Sequence, residues 1–477
     1  MLRRFFFLAL LFGMAALTGK ASDERLPNVV VLLADDMSFG GASCYGARWG
    51  MTTPALDRLA AEGVRCTDAY VTSPTCGPSR AGLVTGRMQT RFGAEFNGPR
   101  AEGVGLPLTE TTIGSRMQAL GYTTGIVGKW HLGGDAEVGA EFHPLRRGFD
   151  EFFGFHGSMV PYFRSNALYR DAVPTPVRDP AYLTDMLARE AAAFIERHAQ
   201  RPFFVYVAFN AVHTPYQATP EDLEAARELP PPPLEAARLA GLDNDERARV
   251  LETIAVRRAM LRALDRAVSR IMAQLEDSGV GDDTLVIFTN DNGDWTHNHP
   301  YRGGKGVVLE GGVRVPFILR WPEHLPAGDT FGEIVSTLDI LPTAVAAAGG
   351  EIDPAWQLDG VNLLPYLTGQ LQGAPHEALF WRLGQNKGAR IGDWKLYYSG
   401  FGFYSEKHGM APPDPTPNWH LYHLVGDPAE QFDLKAHFPE KFAELRAIFD
   451  AWEAERAERR WPFGPSGHMG LWQADGG

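Results

Sequence analysis

Four apolar runs limit what this chain can fold into: NVVVLLADD (28–36), TTGIVGKWH (123–131), PFFVYVAFNAVH (202–213) and TLVIFTNDN (284–292). Each is continuously apolar rather than alternating, and each stops at polar residues, as expected of a strand buried on both faces. Helical patterns lie between them, at Thr53–Glu62 and Thr109–Leu120. The longest spans Asn244 to Ser278, with Val250, Ile254, Leu261, Leu264, Val268, Ile271 and Leu275 on one stripe. It follows LPPPPLEAARLAG (229–241), which reads as a surface excursion. Strands alternating with helices predict an α/β fold: a large, mostly parallel sheet covered by helices on both faces.

A boundary is expected at GQLQGAPHEA (369–378), separating residues 22–370 from a smaller unit, 371–477. The smaller unit holds three short strand-like runs, ALFWRL, ARIGDWKLYYS and HLYHL, and a terminal helix around Glu440–Arg459. That is an α+β unit with an antiparallel sheet. Residues 1–21 have a basic start (Arg3, Arg4), an apolar run (Phe5–Leu17) and a small-residue exit, the pattern of a secretory signal. The protein is therefore expected to be exported, to a periplasm or the medium. No later segment is long and apolar enough to cross a bilayer, so stable membrane insertion is not expected. Removing residues 1–21 takes away three basic residues and no acid, which moves the formal charge from −13 to −16. That balance argues against nucleic acid as a partner. Of the three cysteines, Cys44 and Cys66 could pair after export, but two free, largely buried thiols are the expected state.

Ligands bind outside the carboxyl ends of the strands in open α/β sheets. Those ends carry Asp35-Asp36, Lys129 with His131, His213, and Asp291-Asn292. Each alone has an ordinary reading as a turn, a cap or a core histidine, and their agreement on one edge points to a site. The oxygen donors of Asp35, Asp36, Asp291 and Asn292 suit calcium or magnesium better than zinc. HNHP (297–300) is expected in a loop or at substrate rather than on a metal. In TSPTCGPSRAGLVTGR (72–87), Pro78 suits a first helical turn, and Arg80 lies one turn beyond Cys76 on the same face. A helix start beside a guanidinium makes an anion pocket; a buried cysteine at a helix start is the plainer reading.

Cys76-Gly77-Pro78-Ser79-Arg80, followed by Leu83-Val84-Thr85-Gly86-Arg87, resembles the signature of type I sulfatases of the alkaline phosphatase superfamily. LLADDMSFG, VGKWHLG, GFDEFFGF, FNAVHTP, FTNDNG, KGVVLEGGVRVP and LYHLVGDPAEQFDL are similar to that family's other blocks, in its order. The resemblance implies an alkaline phosphatase-like fold and oxidation of Cys76 to formylglycine (3-oxoalanine) by a formylglycine-generating enzyme that reads the Cys-x-Pro-x-Arg segment. It implies a hydrated aldehyde whose one hydroxyl attacks sulfur while the other, once deprotonated, expels sulfate. It further implies one calcium ion held by Asp35, Asp36, Asp291, Asn292 and modified Cys76. Arg80 and Lys129 would hold the diol, Lys305 and His213 would contact the sulfate and leaving oxygen, and His131 would be a base for release. Glu310 and Arg314 are expected to brace their loop. Cys66 stands where relatives often carry an aromatic residue.

The expected substrate is a sulfated carbohydrate, a polysaccharide or glycosaminoglycan fragment. Tyr162 and Arg164, then Trp295, His297, His299 and Arg302, then the aromatic residues of GFGFYSEKHGM (400–410), are the expected sugar contacts. Two alternatives stay open at this level: a phosphonate monoester or phosphodiester hydrolase of the same superfamily, and a catalytically silent carbohydrate-binding relative.

Overall fold

The computed structural model describes residues 25–97, 103–134, 139–177, 181–232, 235, 239–295, 298–400 and 417–458. The signal-like segment, His297 and residues 401–410 lie outside them. The strands are β1 (Asn28–Ala34), β2 (Val64–Cys66), β3 (Ala69–Tyr70), β4 (Thr123–Lys129), β5 (Glu151–Phe155), β6 (Tyr169–Arg170), β7 (Val173–Pro174), β8 (Phe203–Ala208), β9 (Thr284–Asn290) and β10 (Phe317–Arg320), continuing with β11 (Asp329–Phe331), β12 (Val335–Ser336), β13 (Ala378–Leu383), β14 (Asn386–Ile391), β15 (Trp394–Tyr398) and β16 (Trp419–His423). Ten form one sheet in the order β11-β2-β10-β9-β1-β8-β4-β5-β6-β7. Its centre, β9-β1-β8-β4-β5, is parallel, and β10 joins β9 antiparallel.

Alternation along β1 builds two cores. Val30, Leu32 and Ala34 face the helices Pro54–Ala61, Leu183–His198 and Asn244–Asp277. Val29, Val31 and Leu33 face the helices Cys76–Thr85, Ile113–Ala119 and Ile340–Ala347. The long helix opens on Asp243, whose side chain accepts the backbone N–H groups of Asp245 and Glu246. Midway along it, Asp265 accepts the N–H groups of Ala55 and Leu56, so one helix caps another. The helix expected over 109–120 begins at Ile113, because Thr112 caps it by accepting from Ser115.

Register sets the site's floor. Ala34 pairs with Asn290, Leu33 with Ala208, and Gly128 also with Ala208, so β1, β9, β8 and β4 end at one level. The residues that follow these ends therefore share one edge.

The small sheet, β13-β14-β15-β16, is antiparallel throughout. ARIGDWKLYYS, expected as one strand, is a hairpin: Gly392 (φ 54°) turns the chain between β14 and β15. One face of this sheet, with Ala389, Leu396 and Leu421, packs on Leu445 and Phe449 of the helix Pro439–Ala454. The other face, with Trp381, Tyr397 and Tyr422, packs on Tyr70, Val308, Leu309 and Val313 of the large unit. All three cysteines are free, with Cys66 and Cys76 buried and Cys44 partly so. Among the described residues, no helix is long and apolar enough to cross a membrane.

Candidate active site

The helix Cys76–Thr85 is buried along its whole length, and Thr75 gives its N-terminus no side-chain cap. The Gly77 N–H of its first turn donates instead to Asn97 Oδ1 at 2.9 Å, and Cys76 lies at this buried helix start beside the strand ends. Cys76 Sγ is 3.7 Å from Asp35 Oδ1 and 2.9 Å from Lys305 Nζ. Asp35, Asp36, Cys76 and His213 offer ligand atoms that all lie within 4.8 Å of one another.

Three acids and three cations interlock there. Lys129 Nζ donates to Asp35 Oδ2 at 2.6 Å. Arg80 donates from Nε to Asp291 Oδ2 at 3.0 Å and from Nη1 to the Lys129 carbonyl at 2.9 Å, and its Nη2 forms an ion pair with the same Asp291 oxygen at 2.9 Å. Lys305 Nζ reaches both oxygens of Asp36, at 2.6 and 2.9 Å. Burial opposes ionisation of Asp35, yet Lys129, His213 and Arg80 together hold it well below the usual carboxylate range. Burial likewise opposes Asp36, and Lys305 and His213 outweigh it. Asp291 goes the other way: burial and the Asp35 charge push it up to about 6. Burial pushes the Cys76 thiol up to about 12, so the unmodified side chain is neutral and weakly nucleophilic at pH 7.

Both histidines are uncharged near neutrality, because burial lowers them. His213 Nδ1 lies 2.6 Å from the Thr214 carbonyl, which assigns its proton to that nitrogen. Nε2 then faces the cluster, 3.5 Å from Asp36 Oδ2. His131 follows β4 in a left-handed conformation (φ 58°), with Nδ1 buried and without a hydrogen-bond partner among the described residues. Asn292 Nδ2 donates to Asp36 Oδ1, while its own Oδ1 is buried and has no hydrogen-bond partner among the described residues. A buried amide oxygen of that kind among three carboxylates fits a hard divalent cation.

The expected sugar contacts divide. Trp295 is half-buried, and its indole N–H donates to Asp36 Oδ2 at 2.8 Å, with Lys305 Nζ 5.1 Å above the ring. Tyr162, expected at a sugar, is buried instead, and its hydroxyl donates to the carbonyls of Asn210 and His213. Arg164 is exposed in a left-handed conformation, and His299 is exposed. Arg302 turns to the small sheet, donating to the Tyr422 hydroxyl at 3.1 Å. Sequence reading missed Arg257, which pairs with Asp294 and lies 4.6 Å from the Trp49 ring and 5.1 Å from the Tyr216 ring. A signal was present: residue 257 falls on the apolar stripe, between Ile254 and Leu261.

A family model described as Sulfatase matches residues 27–350. The chain is 32% identical to the N-acetylgalactosamine-6-sulfatase of Canis lupus familiaris, over 88% of this chain and 84% of that protein. It is 30% identical to the steryl-sulfatase of Mus musculus, over 91% and 82%. The crystal structure of Ps i-CgsB superposes with a TM-score of 0.77 at 29% identity, covering 92% of this chain and 95% of that one, and is also solved in complex with k-i-k-neocarrahexaose.

Proposed function

Because this chain belongs to the sulfatase family and is a sulfuric ester hydrolase, we propose that it removes sulfate from sulfated carbohydrate, through a formylglycine at Cys76 and beside a bound calcium ion. The observation that carries the chemistry is the placement of Cys76 Sγ at a buried helix start, 2.9 Å from Lys305 Nζ and inside the acid cluster. The carbohydrate assignment draws on the sugar named for one relative and the oligosaccharide bound to one structural neighbour.

Asp35, Asp36, Asp291 and Asn292, with modified Cys76, would hold the calcium. Without a metal, the three acids balance Arg80, Lys129 and Lys305, so a divalent cation makes the site net positive for an anionic ester. When bound, the ion supplies charge that polarises a sulfate oxygen, and the formylglycine supplies the nucleophilic hydroxyl.

The remaining work falls to the chain's own groups. Lys305 keeps an ammonium against the tip of residue 76, where the sulfate arrives. Arg80 is fixed between Asp291 and the Lys129 carbonyl, and Lys129 is fixed on Asp35, so neither cation reorganises during reaction. His213 presents Nε2 to the ester oxygen, and His131 is the base that takes a proton for release. Arg164, Trp295, His297 and His299 are proposed to border the sugar, whereas Arg302, also expected there, is engaged by Tyr422 of the small sheet. We place the catalytic unit at 22–370 and the smaller unit at 371–477. Residues 1–21 direct export, and a formylglycine-generating enzyme is the required partner.

A panel of sulfated mono- and oligosaccharides beside a small aryl sulfate, with released sulfate measured, tests this assignment. Turnover of at least one sulfated sugar is expected. Hydrolysis of the aryl ester with every sulfated sugar untouched rejects the carbohydrate assignment and leaves the sulfatase chemistry standing.

A further inference from the structure

Lys305 owes its position to a tightly folded segment, residues 302–313. Lys305 N donates to the Asp294 carbonyl at 3.0 Å, and Gly306 N donates to the Pro74 carbonyl at 2.7 Å, two residues before Cys76. Gly311 N returns to the Arg302 carbonyl at 2.8 Å. A Cβ at Gly312 would lie 1.9 Å from the Val307 carbonyl oxygen, so the segment is packed too closely there for any side chain. It ends in the short helix Glu310–Val313, and Glu310 is where the small sheet takes hold. Glu310 Oε1 accepts from Lys395 Nζ of β15 at 2.8 Å, and Oε2 accepts from the Tyr70 hydroxyl at 2.7 Å and from Arg314 at 3.3 Å.

The backbone N–H of Glu310 is held by a second acid. It donates at 2.7 Å to Oε2 of Glu430, a fully buried residue in a left-handed conformation (φ 53°). Such a backbone in a non-glycine residue persists only where its surroundings impose it, and it is a pointer to function. Glu430 Oε1 is buried without a partner among the described residues. Glu310, Lys395, Arg302, Tyr397 and Tyr422 face the carboxyl.

We propose that Glu430 is a positioning residue for the sulfatase reaction: by capping Glu310 it fixes the segment that brings Lys305 to residue 76, and its proton sets an alkaline limit on turnover. This rests on the reading of Lys305 as a sulfate contact. Burial pushes Glu430 up to about 8; Lys395 works against the rise and Glu310 adds to it. While Glu430 is neutral, its oxygen accepts the Glu310 N–H beside a single carboxylate. Once it ionises, a second buried charge stands beside the Glu310 carboxylate, which already engages Lys395 and Arg314, and the repulsion of the two acids separates the cap from the helix. Lys305 follows, and small misplacements of reacting groups cost on the order of tenfold to a hundredfold in rate.

The test uses full-length modified enzyme and a small aryl sulfate, with kcat, KM and melting temperature measured from acid to alkaline pH. Wild-type kcat should fall through a limb near pH 8. Glu430→Gln keeps the acceptor and cannot ionise, so that limb should vanish. Glu430→Ala should lose roughly tenfold in kcat at neutral pH. Between 4.5 and about 8 the native carboxyl keeps a proton that the unfolded chain has lost. Wild-type melting temperature should therefore fall as pH rises through that window, and more steeply than that of Glu430→Gln. An unchanged alkaline limb in Glu430→Gln, or wild-type kcat in a folded Glu430→Ala, overturns the inference. Full turnover by Lys305→Ala would instead remove the underlying reading of Lys305.

Discussion

The hydroxyl of Tyr162 is buried against the turn that presents His213, donating to that residue's carbonyl at 2.8 Å and also to Asn210. The ring stacks on Tyr182 with centroids 5.4 Å apart, so Tyr162→Phe preserves the packing and removes only the donor. Leaving buried carbonyls short of a donor costs about 1–3 kcal/mol. Part of that cost should be felt as looser placement of Nε2. We expect kcat on an aryl sulfate to fall roughly five- to tenfold with KM little changed; steady-state kinetics decide it, and an unaltered kcat would mean that His213 is held by its own turn alone. An aromatic residue in SMVPYF looks the same from sequence whether it faces a sugar or a carbonyl, which is why this role was not legible there.

At the level of elements, the apolar runs located β1, β4, β8 and β9 within a few residues, because strands buried on both faces have little freedom in composition. The long helix was equally plain from its stripe. The short strands toward the sheet's two ends were not: β2, β6, β7 and β11 have two or three residues each, too few to show a period, and β2 and β11 pair only with partners distant in the chain. The bend that aims Lys129 also hides in one letter. Gly128 sits at φ 115°, and a Cβ there would lie 1.9 Å from the Ala208 carbonyl oxygen, so only glycine lets β4 approach β8 just before Lys129. The strand ends bring Asp35, Asp36, Lys129, His213, Asp291 and Asn292 to one edge of the sheet, as their places in the sequence suggested. The pairings, such as Trp295 on Asp36 or Arg302 on Tyr422, depend on loop paths that periodicity does not encode.

Over the whole molecule, four separated segments bring their acids, amide, cysteine and imidazole to one level of one sheet, so a bound cation would tie them together. Binding to the folded state alone stabilises by about 2.7 kcal/mol at a hundredfold excess over Kd. Adding calcium to chelated protein should therefore raise the melting temperature by roughly 2–5 °C and restore turnover, and zinc should do neither as well. A rise with zinc alone would contradict the oxygen donor set. The central claim rests on residue 76, and the mass of the tryptic peptide Cys66–Arg80 from active enzyme tests it most directly, read beside the turnover of the same sample. The account predicts an aldehyde in place of the thiol, in proportion to activity, and no turnover from Cys76→Ala. Full activity from protein whose residue 76 is entirely thiol would contradict it.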